Sequence, residues 1–162
     1  MLRKSLILLL LLASPVPSSA APIFDADRAA LGLGGSYEHV TKTGEPTEDD
    51  VAVNLFLAAP LTPMFTLAAR GSYSINRQEA LFSPGVHYNV GENSGLATAL
   101  TYDFYINGDQ SYENEWVGSA LYTRELGEYF QVSAVASYGM DNHELRTSIQ
   151  VTAPLWVGKD AQ

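Results

Sequence analysis

The sequence predicts an all-β fold: a single eight-stranded antiparallel up-and-down transmembrane β-barrel that follows a cleaved signal peptide. Three observations predict it. After residue 20 the chain falls into short segments in which apolar and polar residues alternate, separated by Gly, Pro and Asn. There are eight such segments, an even number, as closure of an antiparallel barrel requires. On the mainly apolar face the aromatic residues collect near the strand ends, and Leu, Val, Ile, Ala and Gly fill the middle.

Residues 1–20 are set aside first. Arg3 and Lys4 form a basic start, Leu6 to Ala13 a short apolar run, and Pro15, Pro17, Ser18, Ser19 and Ala20 a small-residue break. This is the pattern of a secretory signal peptide, with cleavage expected after Ala20 or Ala21. The run is shorter than the roughly 20 residues a membrane-spanning helix needs. Residues 21–28 read as a lead-in, 29–156 as the barrel and 157–162 as a tail.

The strands follow in order. Leu31, Leu33 and Tyr37 alternate with Gly32, Gly34, Ser36 and Glu38. Gly32, Gly34 and Gly35 resemble a phosphate loop only superficially, since no helix start follows; they read as small residues in a curved strand. Val51, Val53, Leu55 and Leu57 oppose Ala52, Asn54 and Phe56. Phe65, Leu67, Ala69, Gly71, Tyr73 and Ile75 oppose Thr66, Ala68, Arg70, Ser72 and Ser74. Val86, Tyr88 and Val90 oppose His87 and Asn89. Leu96, Thr98, Leu100, Tyr102, Phe104 and Ile106 oppose Ala97, Ala99, Thr101, Asp103 and Tyr105. In 115–122, Trp116, Ala120 and Tyr122 are assigned outward against Val117, Ser119 and Leu121. Phe130, Val132, Ala134, Ala136 and Tyr138 oppose Gln131, Ser133, Val135 and Ser137. Leu145, Ile149, Val151, Ala153 and Leu155 oppose Arg146, Ser148, Gln150 and Thr152. The breaks fall at 41–50, 59–63, 76–80, 91–95, 107–114, 123–128 and 139–143, where Gly and Asn supply positive φ and Pro60 and Pro63 block a continuing ladder.

Alternation does not by itself say which face is buried. A soluble sheet turns its apolar face inward, whereas a membrane barrel turns it to lipid. The aromatics decide for the membrane. Tyr37, Tyr73, Phe104, Trp116 and Tyr138 fall near one end of the barrel, and Phe65, Tyr88, Tyr122, Phe130 and Trp156 near the other. Two girdles around an apolar band match the preference of amphipathic rings for bilayer interfaces. The opposite face is rich in Ser, Thr, Gln and Asn and carries Glu38, Arg70, Asp103 and Arg146. An eight-stranded lumen is just wide enough to be filled by side chains. These four are therefore expected to form lumen ion pairs, with Glu38 and Arg146 neighbours at the closing seam and no open pore.

These features resemble the small eight-stranded outer-membrane β-barrel proteins of the OmpA and OmpX kind. The segments Gly85-Val86-His87-Tyr88-Asn89-Val90 and Thr123-Arg124-Glu125-Leu126-Gly127 read like the strand-turn junctions of such barrels. The resemblance covers Ala29 to Trp156 and is one of architecture. It implies an outer-membrane location and a C-terminal aromatic read by the assembly machinery. Here the chain departs from the pattern: Pro154 precedes Trp156, and residues 157–162 follow it.

Composition excludes several classes. The formal charge of −9 becomes −11 once Arg3 and Lys4 leave with the signal, so nucleic acid is not an expected partner. There is no Cys, which removes disulfides, thiol chemistry and an N-terminal lipid anchor. His39, His87 and His143 are scattered. Ser72, His87 and Asp103 form a conceivable nucleophile–base–acid trio, with a lumen hydrogen-bond network as the preferred role. Glu45, Glu48, Asp49 and Asp50 are read as a solvated first loop, with divalent bridging to lipopolysaccharide as the alternative. The expectation is an outer-membrane protein with a structural or surface-interaction role. It is expected to be a monomer with no catalysis, cofactor or metal, and with membrane lipid, lipopolysaccharide and the export and assembly machinery as partners. Two alternatives stay open: a soluble exported barrel holding a small apolar ligand, and a lipid-modifying outer-membrane enzyme.

Overall fold

The computed structural model describes residues 29–42, 46–90, 95–106, 113–127 and 129–157. The signal peptide, the lead-in, Glu45 and the last five residues lie outside the described residues. Eight strands follow one another: β1 Ala30–Lys42, β2 Glu48–Pro60, β3 Phe65–Ser74, β4 Glu79–Asn89, β5 Leu96–Ile106, β6 Glu115–Leu126, β7 Phe130–Gly139 and β8 Glu144–Val157. Each pairs antiparallel with its neighbours in sequence, and β1 closes on β8. At about 3.3 Å per residue and a tilt of about 40°, ten residues rise roughly 25 Å, the height of a membrane barrel's apolar band.

Burial alternates clearly in β1 and β2 and more loosely in the other strands, and the buried set is mainly polar. The large apolar side chains Leu33, Val53, Leu55, Leu57, Leu67 and Leu100 are all exposed. Among the described residues fifteen polar or charged residues are buried against six small apolar ones, Ala30, Val40, Ala52, Ala58, Ala97 and Val117. The buried apolar cluster is only Ala30 and Ala58 with Phe56 packed on them, at the lower end. A soluble barrel would show the reverse count.

Several strands run further than the apolar alternation suggests. Glu48, Asp49 and Asp50, expected in the first loop, begin β2, and Asp50 faces inward. Glu79 and Ala80 belong to β4, which starts well before Val86, whereas Val90 lies beyond its end. Ala59 and Pro60 finish β2, and Thr123 to Leu126 finish β6. β8 continues through Pro154 to Val157. A register shift at Leu31/Gly32, where Leu31 faces Trp156 and Gly32 faces Pro154, absorbs the proline, which has no N–H for the ladder.

The turns divide into two sets. The β1–β2, β3–β4, β5–β6 and β7–β8 connections lie at one end, called upper here, and the other three at the lower end. Thr62 Oγ1 accepts from the amides of Met64 and Phe65 and shapes the β2–β3 turn. Gln78 and His143 carry positive φ in the upper turns, and Gly95 and Gly127 in the lower ones. Within the wall β4 and β5 approach closely: a Cβ on Gly85 would lie 2.4 Å from the Leu100 carbonyl oxygen. Gly85→Ala is therefore expected to cost about 1–3 kcal/mol through overpacking. Gly71→Ala, with nothing within 4 Å of the added carbon, should stay within about 0.5 kcal/mol. Urea unfolding in detergent micelles measures both.

Candidate functional site in the barrel lumen

The lumen is built from the inward positions of all eight strands and is graded along its axis. Below, Ala30, Ala58 and Phe56 pack together, with Thr66 and Thr123 also buried at that end. In the middle lies a cavity of about 80 Å³ lined by Ser83, His87, Leu121 and Gln150 and, toward the upper end, by Arg70, Asp103 and Arg146. Above, charged residues fill the cross-section.

Arg146 of β8 is the hub of the upper part. It stands at an inward position, 7% exposed, and its guanidinium reaches across the barrel. Nη1 donates to Asp103 Oδ2 of β5 at 3.1 Å. Nη2 donates to Glu115 Oε1 of β6 at 3.0 Å and to the Tyr105 hydroxyl. Nε donates to Glu144 Oε2 on its own strand at 2.9 Å. Its carbon also lies 5.7 Å from the centroid of the Tyr105 ring. A planar fork with five donors suits this role, because three carboxylates can be met from one side chain.

Glu115 has two duties. Oε1 receives Arg146 and the Tyr105 hydroxyl. Oε2 accepts the amides of Asp141 and Asn142 and so holds the β7–β8 turn. On the neighbouring strand a Cβ at Gly139 would stand 2.4 Å from both carboxylate oxygens, so any larger residue there would displace the carboxylate. Asp50 does the same for the β3–β4 turn. Its Oδ1 accepts from the amides of Val51 and Asn76, and Oδ2 meets Arg77 at 3.1 Å. Glu38 lies 3.7 Å from Arg77 and 4.0 Å from Arg70, and it accepts from Ser36, which in turn accepts from Asn54.

The four charges singled out in the sequence all face the lumen, but the structure pairs them differently. Arg146 goes to Asp103, and Glu38 goes to Arg70 and to Arg77. The register sets Val40, not Glu38, across from Arg146. Asp50, Arg77, Glu79, Glu115 and Glu144 also belong to the network and were missed. They sit where apolar alternation has already ended; the signal that could find them is the parity of the inward face carried into the assumed loops.

The trio Ser72, His87 and Asp103 is not assembled. Ser72 pairs in register with Leu81, and His87 with Thr66, six residues lower on β3, roughly 20 Å away along the strand. Asp103 is engaged with Arg146. His39 points outward and meets Asp49 at 2.7 Å on the rim, and His143 contacts the Tyr138 hydroxyl at 3.2 Å.

The aromatics stand on the outer face. Tyr37, Tyr73, Phe104, Trp116 and Tyr138 are exposed toward the upper end, and Phe65 and Phe130 toward the lower. Tyr88 is half-buried against Phe65, with ring centroids 5.2 Å apart, and Tyr122 is half-buried. Tyr102 bridges Phe104 and Trp116 in edge contacts. The backbone of Trp156 lies in β8, and its side chain is outside the described residues.

Removing Arg146 would leave Asp103, Glu115 and Glu144 buried without their common cation. Arg146→Ala is expected to destabilise the barrel by about 3–5 kcal/mol, read as a lower urea midpoint of the folded band. Asp49→Ala on the exposed rim should leave that midpoint unchanged.

No protein-family model and no curated protein matches the chain. Solved structures do. A de novo designed transmembrane β-barrel superposes with TM-score 0.55 at 12% identity, covering 78% of this chain and 95% of that one. Neisserial surface protein A superposes with TM-score 0.50 at 10% identity, covering 77% and 96%. Ail, the attachment invasion locus protein of Yersinia pestis, gives 0.48 at 8% identity over 79% and 97%. The likeness is one of fold: this chain has the closed eight-stranded antiparallel architecture of the small transmembrane β-barrels.

Proposed function

We propose that the protein is exported to the bacterial outer membrane and acts there as a closed monomeric barrel with a structural or surface-interaction role. The observation that carries this reading is the inversion of burial: Leu33, Leu55, Leu67 and Leu100 are exposed on the outer face while Asp103, Glu115 and Arg146 are buried within. Apolar side chains in a continuous belt need an apolar solvent, and a closed ladder satisfies every strand without water. The aromatic residues above and below the belt support two interfaces. The N-terminal basic and apolar segment supports export.

The role belongs to the upper end in this reading, which faces outward if both termini lie in the periplasm. Glu48, Asp49, Glu113 and Asp141 are exposed there, and the β3–β4 and β7–β8 turns are pinned from inside by Asp50 and Glu115. Exposed carboxylates beside two pinned turns suit contact with lipopolysaccharide and its divalent counterions. Among the described residues the ion pairs of Arg146 cross the lumen and Ser72, His87 and Asp103 stand apart, which favours a plug over catalysis or conduction.

The full chain expressed in a Gram-negative host should appear in the outer-membrane fraction, with a gel band that shifts on boiling. Leu55→Arg, at mid-height on the outer face, should cost about 2–4 kcal/mol in lipid bilayers. Thr41→Arg at the upper rim should cost far less. Recovery of the wild type from the soluble periplasmic extract, or indifference to Leu55→Arg, would overturn the membrane assignment.

A further inference from the structure

Glu79 opens β4 at the upper end of the lumen, one position above Ala80, which pairs with Tyr73 of the upper aromatic girdle. It is 4% exposed, and its Oε1 is a buried atom with no hydrogen-bond partner. The other buried carboxylates of the lumen are Glu38, Asp50, Asp103, Glu115 and Glu144, and each of them has an arginine. Glu38 and Asp50 meet Arg77, with Arg70 beside Glu38, and Asp103, Glu115 and Glu144 share Arg146. Among the described residues no such pair includes Glu79. The connections at the upper end contain no Lys or Arg except Arg77, which Asp50 and Glu38 already engage. Lys42, at the top of β1, stands across from Glu144 in the register. The Tyr105 hydroxyl is turned to Arg146 and Glu115. A buried carboxylate with neither a cation nor a donor is costly, and such a group gives up its charge instead.

Glu79 also stands directly beneath a turn. Its register partner is Ser74, whose Oγ accepts from the Arg77 amide at 3.1 Å. Arg77 donates through Nε to Asp50 Oδ2 at 3.2 Å, and Asp50 Oδ1 accepts from the Asn76 amide at 3.2 Å. A negative charge on Glu79 would compete with Asp50 for Arg77 and draw water into the rung below it. The β3–β4 turn would then lose part of what holds it.

We infer that Glu79 is a neutral carboxylic acid in the folded barrel at neutral pH, and that its ionisation loosens the β3–β4 turn. The device is a proton-held latch on the upper end, and it operates whichever solvent surrounds the barrel. In the unfolded chain the same carboxyl ionises at about pH 4.3. The folded chain therefore keeps a proton that the unfolded chain has lost, and stability falls as pH rises. The contribution is complete below the ordinary glutamate range and is gone once the folded carboxyl ionises.

The test follows urea unfolding of the full chain in detergent micelles from about pH 5 to about pH 9, beside the Glu79→Gln variant. All other titrating groups are common to both chains. Relative to the variant, the wild-type unfolding constant should rise by up to about tenfold per pH unit until Glu79 ionises. A protonated-carboxyl infrared band should be present in the wild type at neutral pH, vanish as the pH rises and be absent from the variant. Over the same rise, exchange of the Asn76 amide, corrected for its intrinsic rate, should quicken in the wild type and not in the variant. If the variant does not fold, the wild-type band, its loss and the Asn76 exchange decide. Parallel unfolding curves, a band that survives in Glu79→Gln, or no band in the wild type at neutral pH would each overturn the inference. So would Asn76 exchange that ignores the loss of the band.

Discussion

Closure of the hydrogen-bond ladder between β1 and β8 is the constraint on which the rest of the barrel depends. The seam runs from Ala30 opposite Val157 to Lys42 opposite Glu144. With it formed, no strand is an edge, and each residue must point either into the lumen or away from it. A slip of one residue would exchange the two faces completely, carrying Leu33 inward and Glu38 out. The seam is also where the sequence is least regular, with Pro154 inside the closing strand. The register shift beside it lets the ladder continue past a residue that cannot donate.

Once the ring is closed, the width of eight strands dictates the chemistry of the interior. The lumen is too narrow for bulk water to screen charge freely and has too few large apolar residues to form a hydrophobic core. Cohesion inside therefore comes from hydrogen bonds and ion pairs, which are strong in such surroundings and costly when incomplete. Arg146 meets this demand by joining β5, β6 and β8 through one planar group. Asp50 and Glu115 extend the same network to the turns. The apolar residues, released from the interior, form the outer surface.

The fold was legible because its main signal is periodic. Alternation in Val51 to Leu57, Phe65 to Ile75 and Phe130 to Tyr138 fixes both the strands and their outward faces. The height sorting of Tyr37, Tyr73, Trp116 and Phe65 indicates how the barrel is solvated. The site was legible only in part. Glu38, Arg70, Asp103 and Arg146 stand out as charges within alternating runs. Asp50, Arg77, Glu79 and Glu144 follow or precede such runs, where a charged residue reads as a loop. A polar lumen removes the hydrophobic contrast that normally marks a strand's inner face, so strand ends cannot be seen from apolar pattern alone. Pairing is also hidden: strand tilt and stagger bring Arg146 to Asp103, forty-three positions away, and no local spacing records that.

The two ends of the lumen consequently differ in kind. The lower end holds the apolar cluster of Ala30, Ala58 and Phe56 together with the uncharged Thr66, Thr123 and Ser133. The upper end is held by carboxylates that serve the arginines and the turns at once. Glu115 Oε2 holds the amides of Asp141 and Asn142 while Oε1 receives Arg146. Asp50 joins the amide of Asn76 to Arg77. Displacing either carboxylate from its arginine would therefore loosen a turn, and loosening a turn would expose a buried charge. The shape of the β3–β4 and β7–β8 turns and the charge balance of the lumen are thus one property, set by the same oxygens.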